Sequence, residues 1–128
     1  MMFDTDIVIW ALRGRAWAQQ QLVSADHCEI ATATWLELLE GARDKRELAS
    51  LKTMLTDLNM RVIPLTEAIG IRAANYLERY ALSGGLDALD AIIAATAVES
   101  GNVLVTCNAK HFKPIADLQI KQYTDSNF

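Results

Sequence analysis

Three stretches of this sequence place acids or amides where a β-strand should end. Asp4, Thr5 and Asp6 stand at the end of a strand read at residues 1–4, Thr34 and Glu37 follow a short buried strand read at 28–33, and Thr106 and Asn108 follow the β-branched run 103–105. In an open parallel sheet, ligands bind outside the carboxyl ends of the strands, so three separate loops would bring these side chains to one edge. Carboxylates crowded on one edge repel one another and their pKa values rise unless a cation neutralises them. A hard divalent ion, Mg²⁺ or Mn²⁺, resolves that conflict with oxygen ligands and serves phosphoryl chemistry. Metal-assisted phosphodiester hydrolysis is the chemistry these residues point to. Cys28 and Cys107 lie far apart in the chain, and neither sits in a CxxC or HExxH pattern, so zinc spacing is absent. The chain also has no glycine-rich phosphate loop.

Bringing the acids together needs strands separated by helical crossovers, and the hydrophobic pattern supplies that rhythm. Strand 1–4 leads to a helix over 7–12, interrupted at Gly14 before a second helix over 16–23. Strand 28–33 precedes a helix carrying Trp35, Leu38, Leu39 and Ala42. A solvated turn is expected over 43–47, and then a helix with Leu48, Leu51, Leu55 and Leu58 on one face. Strand 61–65 follows, and Thr66 opens a helix whose buried stripe is Ile69, Ala73, Tyr76, Leu77 and Tyr80. Ser83, Gly84 and Gly85 stop it. A helix over 87–99, a central strand at 103–105 and a last strand at 118–123 complete the chain. The expected fold class is α/β: a parallel four- to five-stranded sheet flanked by helices in three layers, formed by residues 1–128 as one domain.

Composition narrows the setting. The 128 residues are 52% hydrophobic and 22% charged, enough to bury a core and too apolar for disorder. The apolar run 7–12 is too short to span a bilayer and follows acids, so neither a signal peptide nor a membrane span is expected. Two cysteines cannot build the disulfide framework of a small secreted domain, which favours a reducing, cytoplasmic setting. A net charge of −4 argues against broad charge-driven binding to nucleic acid and leaves room for a local basic patch.

The segments FDTDIVIW at 3–10, ATATWLELLEGA at 31–42, LDALDAIIAATAVESGNVLVT at 86–106 and CNAKHF at 107–112, in this order and spacing, resemble the PIN-domain nucleases, and VapC-type toxins in particular. The resemblance spans nearly the whole chain. It implies a PIN-like fold and an Mg²⁺- or Mn²⁺-dependent endoribonuclease in which Asp4, Glu37 and Asp90 carry the acidic site. It also implies a cognate antitoxin that covers the site, an RNA substrate and a homodimer. The family often has Asn where Asp6 stands, which makes Asp6 a supporting contact or an extra charge. Its fourth acidic position falls on Asn108, which brings an amide and no charge.

Each residue also has a structural reading. Thr34 and Glu37 fit the capping box S/T-x-x-E, and Asp87 is a good N-cap for the helix in whose first turn Asp90 sits. Asp87 is read as the cap and Asp90 as the ligand. Thr106 and Asn108 could form a simple turn. Lys110, His111, Arg13 and Arg15 are candidates for holding RNA phosphates, and their alternative is a solvated loop. Trp10, Trp17 and Trp35 read as core or interface anchors. Cys107 has no visible base to make it a nucleophile. Two rival functions stand beside the nuclease. A catalytically silent PIN-like binding domain would follow from Asn108 and the acidic charge. The DTDIV segment also looks like the nucleophile motif of haloacid-dehalogenase-type phosphatases, but that family places its Ser/Thr strand end between the two acidic motifs, whereas Thr106 follows both.

Overall fold

The computed structural model describes residues 1–123. The central strand β1 (Met2–Phe3) is flanked by β2 (Glu29–Ala31) and β4 (Leu104–Thr106). Outside them lie β3 (Arg61–Ile63) and β5 (Ile120–Gln122), giving five strands in the order β3-β2-β1-β4-β5, all parallel. Successive side chains on a strand face opposite ways. Met2, Ala31 and Leu104 accordingly enter one core, and Phe3, Ile30 and Val105 enter the other. The second core is closed by α1 (Thr5–Leu12), α2 (Ala16–Ser24), α3 (Thr32–Gly41) and α4 (Lys45–Asp57). The first is closed by α5 (Glu67–Gly84) and α6 (Ala88–Glu99). This is the three-layer arrangement the sequence implied, with the sheet at its upper strand count.

Every strand is short, and after β1 and β2 the chain turns at once into helix. Asp4 has extended backbone (φ −68°, ψ 159°) and its carboxylate accepts from the Thr5 N–H at 2.8 Å, so α1 begins two residues before the apolar run at 7–12. A side-chain oxygen at this position satisfies one of the orphan amides at a helix start. Helix α3 likewise begins at Thr32, inside the segment expected as strand 28–33. The expected turn at 43–47 is mostly helix, because Asp44 caps Glu47 N at 2.8 Å while the Glu47 carboxylate accepts from Arg43 N at 2.8 Å. The first bond is that of a capping box, and the second reaches one residue further back, to the amide before the cap.

Placing Asp90 at the active edge requires the chain to return there after the helix that Thr66 opens, and a helical hairpin achieves it. Arg72 Nε donates to Glu99 Oε1 at 2.7 Å, so the early turns of α5 lie beside the end of α6 and the two helices run antiparallel. Gly85, at φ +68°, caps α5 in the left-handed conformation that glycine adopts without a Cβ penalty, and its N–H donates to Ala81 O. Asp87 caps α6 through a 2.8 Å bond from Asp90 N, as the spacing predicted. Asp87 and Asp90 therefore stand at a helix start reached from a helix, not after a strand. Among the described residues no helix is long and apolar enough to cross a membrane.

Candidate active site

Helix α1 starts at the end of β1, α3 at the end of β2, α6 after the hairpin and the loop 107–111 at the end of β4. Together they enclose a cavity of about 290 Å³ lined by Asp4, Asp6, Glu37, Asp87, Asp90 and Asn108, with Thr5 and His111 in the wall. No lysine or arginine is among its described lining residues. Two larger hollows, of about 540 and 530 Å³, lie on the outer face of α5 and between α1, α3 and α4. They hold more volume but lack a comparable convergence of acids.

Asp4 is 8% exposed, and neither of its carboxylate oxygens is orphaned. Oδ1 accepts from Thr5 N, and Oδ2 accepts from the buried Thr106 hydroxyl at 2.7 Å. Thr106 in turn accepts from Asn108 N at 3.0 Å, so one hydroxyl ties the first acid to the last loop. Asp6 is held by backbone, accepting from Ile7 N at 2.7 Å and Cys107 N at 3.1 Å, which makes it a support for that loop. Glu37 does not form the capping box that its spacing with Thr34 suggested. With α3 starting at Thr32, Thr34 is fully buried inside the helix, and Glu37 Oε1 instead accepts from the Thr5 hydroxyl at 2.9 Å. The Thr34 hydroxyl lies 3.1 Å from Thr5 Oγ1, completing a chain from the core to the acid.

On the far wall, the Asn108 side-chain amide sits 3.2 Å from a ring nitrogen of His111, whose Nδ1 is 3.6 Å from Asp90 Oδ2. Lys110 is exposed and does not line the cavity. Arg13 lies outside it too: its guanidinium is 5.5 Å from the Trp10 ring centre, and it lines the neighbouring hollow, which shares Ile9 and Glu37 with the acidic one. Arg15 stacks on Trp10 in the same way at 5.4 Å. Trp10, Trp17 and Trp35 pack against the second core, as their helical spacing predicted.

Burial, then the neighbouring Asp6, pushes the Asp4 carboxyl from 3.8 up to about 7, against the lowering effect of its bonds from Thr106 and Thr5. Burial followed by Asp87 pushes Asp90 up to about 6, and burial also raises Asp6. Burial and the two nearby aspartates push the Cys107 thiol up to about 12, which keeps it neutral and a poor nucleophile. Acids this crowded destabilise the fold when ionised. A carboxyl whose folded pKa is raised takes up protons on folding, so its contribution is fully favourable below the unfolded value and is lost as pH rises. Metal-free protein should therefore lose stability between about pH 4 and pH 7, the window set by Asp4. Thermal melts of wild type against Asp4→Asn check this, since the variant's advantage should grow across that window; a constant difference would refute it.

The cavity fits a hard divalent ion by its donor chemistry: carboxylate oxygens and an amide, with no lysine or arginine among its described lining residues. Among the described residues no three His, Cys, Asp or Glu side chains close into a cage. Mg²⁺ needs no such cage, because one or two carboxylates hold it and it keeps several waters.

Sheet order, helix placement and this acid-lined edge define a PIN domain, and the PIN domain family model matches residues 1–118. The chain belongs to the PIN-domain family. Within it, the likeness is to the VapC type. Ribonuclease VapC10 of Mycobacterium tuberculosis is 34% identical over 125 residues, covering 93% of this chain and 90% of that protein. Ribonuclease VapC1 of Haemophilus influenzae is 30% identical over 132 residues, covering 96% and 97%. Among solved structures, a toxin-antitoxin complex from Klebsiella pneumoniae superposes with a TM-score of 0.80 at 28% identity, covering 97% of this chain and 98% of that one. VapBC-1 from nontypeable Haemophilus influenzae gives 0.77 at 25% identity over the same shares.

Proposed function

We propose that this protein is a metal-dependent endoribonuclease, the toxin of a type II toxin-antitoxin pair, acting in the cytoplasm. The observation that carries this reading is the acidic cavity itself, where Asp4, Glu37 and Asp90 converge from three elements with no lining lysine or arginine to neutralise them. Asp4 and Asp90, with Glu37, would hold Mg²⁺ or Mn²⁺. When bound, such an ion supplies charge neutralisation at the phosphate and activates water for attack on phosphorus.

The chain's own residues do the positioning. Thr106 and the Thr5 amide fix both oxygens of Asp4, leaving their remaining lone pairs toward the cavity. The Thr34–Thr5 hydroxyl pair turns Glu37 inward. Asn108 contributes an amide that can orient a water or a phosphate oxygen, and His111 stands between that amide and Asp90. Lys110, Arg13 and Arg15 lie outside the cavity, where they can meet the phosphates of an RNA strand passing over it. Single-stranded or loop RNA suits a shallow edge because its backbone is accessible. The named relatives and structural neighbours support an antitoxin partner, and a homodimer is the expected assembly.

Asn108 favours one competing reading, a silent PIN-like binding domain that lacks a needed fourth charge. The two diverge in a cleavage assay on mixed single-stranded RNA in Mn²⁺, using protein freed of any co-purified antitoxin, with Asp4→Asn as contamination control. The nuclease reading expects activity in wild type, substantial activity in Asn108→Asp, and a fall of about 10-fold or more in Asn108→Ala, where an orienting amide is lost. Activity confined to Asn108→Asp would overturn it in favour of the silent domain.

A further inference from the structure

The loop that carries Asn108 is clamped from outside the cavity by an exposed side chain on the edge strand. Gln122, the last residue of β5, pairs in register with Thr106, the last residue of β4. Its carboxamide reaches past the strand end in both senses: Nε2 donates to Cys107 O at 2.7 Å, and Oε1 accepts from Ala109 N at 2.8 Å. Those are the carbonyl before Asn108 and the amide after it. In a parallel ladder a residue faces its partner across the same pair of groups, one residue before and one after. The Gln122 side chain thus acts as a substitute peptide unit that extends the β4–β5 ladder beyond Thr106 and centres it on Asn108. The Thr106 hydroxyl meanwhile accepts from Asn108 N, and the next residue of the edge strand, Tyr123, donates its N–H to Thr106 O at 2.9 Å while its ring stacks on Trp17 at 4.9 Å.

We propose that Gln122 is a positioning residue for RNA cleavage: it holds the 107–109 backbone so that the Asn108 amide faces Asp4 and Asp90 across the cavity. This rests on the nuclease reading above. Gln122 touches neither metal nor substrate and acts only through Asn108. Its side chain is exposed and fills no core, so shortening it leaves both hydrophobic clusters intact.

The test is a double-mutant cycle on the full chain, read as kcat and KM for a single-stranded RNA in Mn²⁺, with side-chain amide and backbone NMR of the same proteins. Gln122→Ala should lower kcat by about 10- to 100-fold, as a displacement on the ångström scale does, while KM changes by less than about 3-fold. In an Asn108→Ala background the same substitution should cost less than about 2-fold, because coupled positions are non-additive. Gln122→Glu keeps the acceptor for Ala109 N and loses the donor to Cys107 O, so it should fall between. Equal losses in both backgrounds, or a change in KM alone, would overturn the proposal. If wild type fails to cleave, the nuclease reading falls, and the clamp is still decided by NMR: Gln122→Ala should deprotect the Ala109 amide from hydrogen exchange and shift the Asn108 side-chain amide. Unchanged signals would refute it.

Discussion

Asp4→Asn is expected to reduce RNA cleavage by at least about a thousandfold, the several kcal/mol that a positioned divalent ion supplies to a phosphoryl transition state. The same change should raise the melting temperature of the metal-free protein at pH 8 by roughly 5–10 °C, or about 2 kcal/mol. Both effects come from one carboxyl that burial and Asp6 push up to about 7. At pH 8 the wild-type side chain is ionised in a cavity that offers it two hydrogen bonds and no cation. Asparagine keeps the geometry. Its carbonyl can accept from Thr5 N and its amide can donate to Thr106 Oγ1, whose own proton then turns toward Asp6 Oδ2, already 3.4 Å away. Asp4→Asn should also no longer bind Mn²⁺, and isothermal titration, RNA cleavage and thermal melts on the same preparation check the three consequences. Retained cleavage would refute the assignment of Asp4, and a lower melting temperature would show that the carboxylate stabilises the apoprotein.

Most of the fold was legible because parallel strands buried on both faces read as short apolar runs, and helices flanking them carry a periodic stripe. The strand-end part of the site was legible for the same reason, since a polar residue directly after such a strand has to lie at the sheet's edge, whereas Asp90, at a helix start reached from a helix, came only from the resemblance to the family. What the sequence could not show was where each strand stops. Residues 32–33 read as a continuation of the β2 strand, yet the chain is already helical there, and this shift moves Thr34 from a cap to the core and frees Glu37 to accept from the Thr5 hydroxyl. The partners of Asp4 could not be read from the sequence around it, where the nearest ionisable side chain is another acid, Asp6. They are a backbone amide and a hydroxyl 102 residues away, brought close by β1–β4 pairing. Thr5 was placed at the edge but given no role there, because a threonine at a helix start needs no further reason and its contact with Glu37 exists only once α1 packs on α3. Gln122 gave no signal, since an exposed glutamine on an edge strand is indistinguishable from solvation until its register with Thr106 is known.

The two aspartates at the start of α6 should separate stability from chemistry. Asp87 is exposed and its carboxylate caps Asp90 N at 2.8 Å, so Asp87→Ala should cost about 0.5–2 kcal/mol of stability, the usual loss of an N-cap, while cleavage persists. Asp90 is half-buried, and its carboxyl is pushed up to about 6 by burial and then by Asp87. Removing its side chain relieves that cost and leaves the cap intact, so Asp90→Ala should melt no lower than wild type in metal-free buffer above pH 6. It should also lose RNA cleavage by about a hundredfold or more, because one of few ion-holding groups is gone. The Asp87→Ala deficit should persist with or without Mn²⁺, whereas the stabilisation that Mn²⁺ gives wild type should vanish in Asp90→Ala. Melts of both variants with and without Mn²⁺, beside cleavage of the same RNA, decide the assignment. If Asp87→Ala is the inactive variant and Asp90→Ala the unstable one, the roles are exchanged: the ion then sits at the mouth of α6, on the exposed carboxylate, and not between α6 and Asp4.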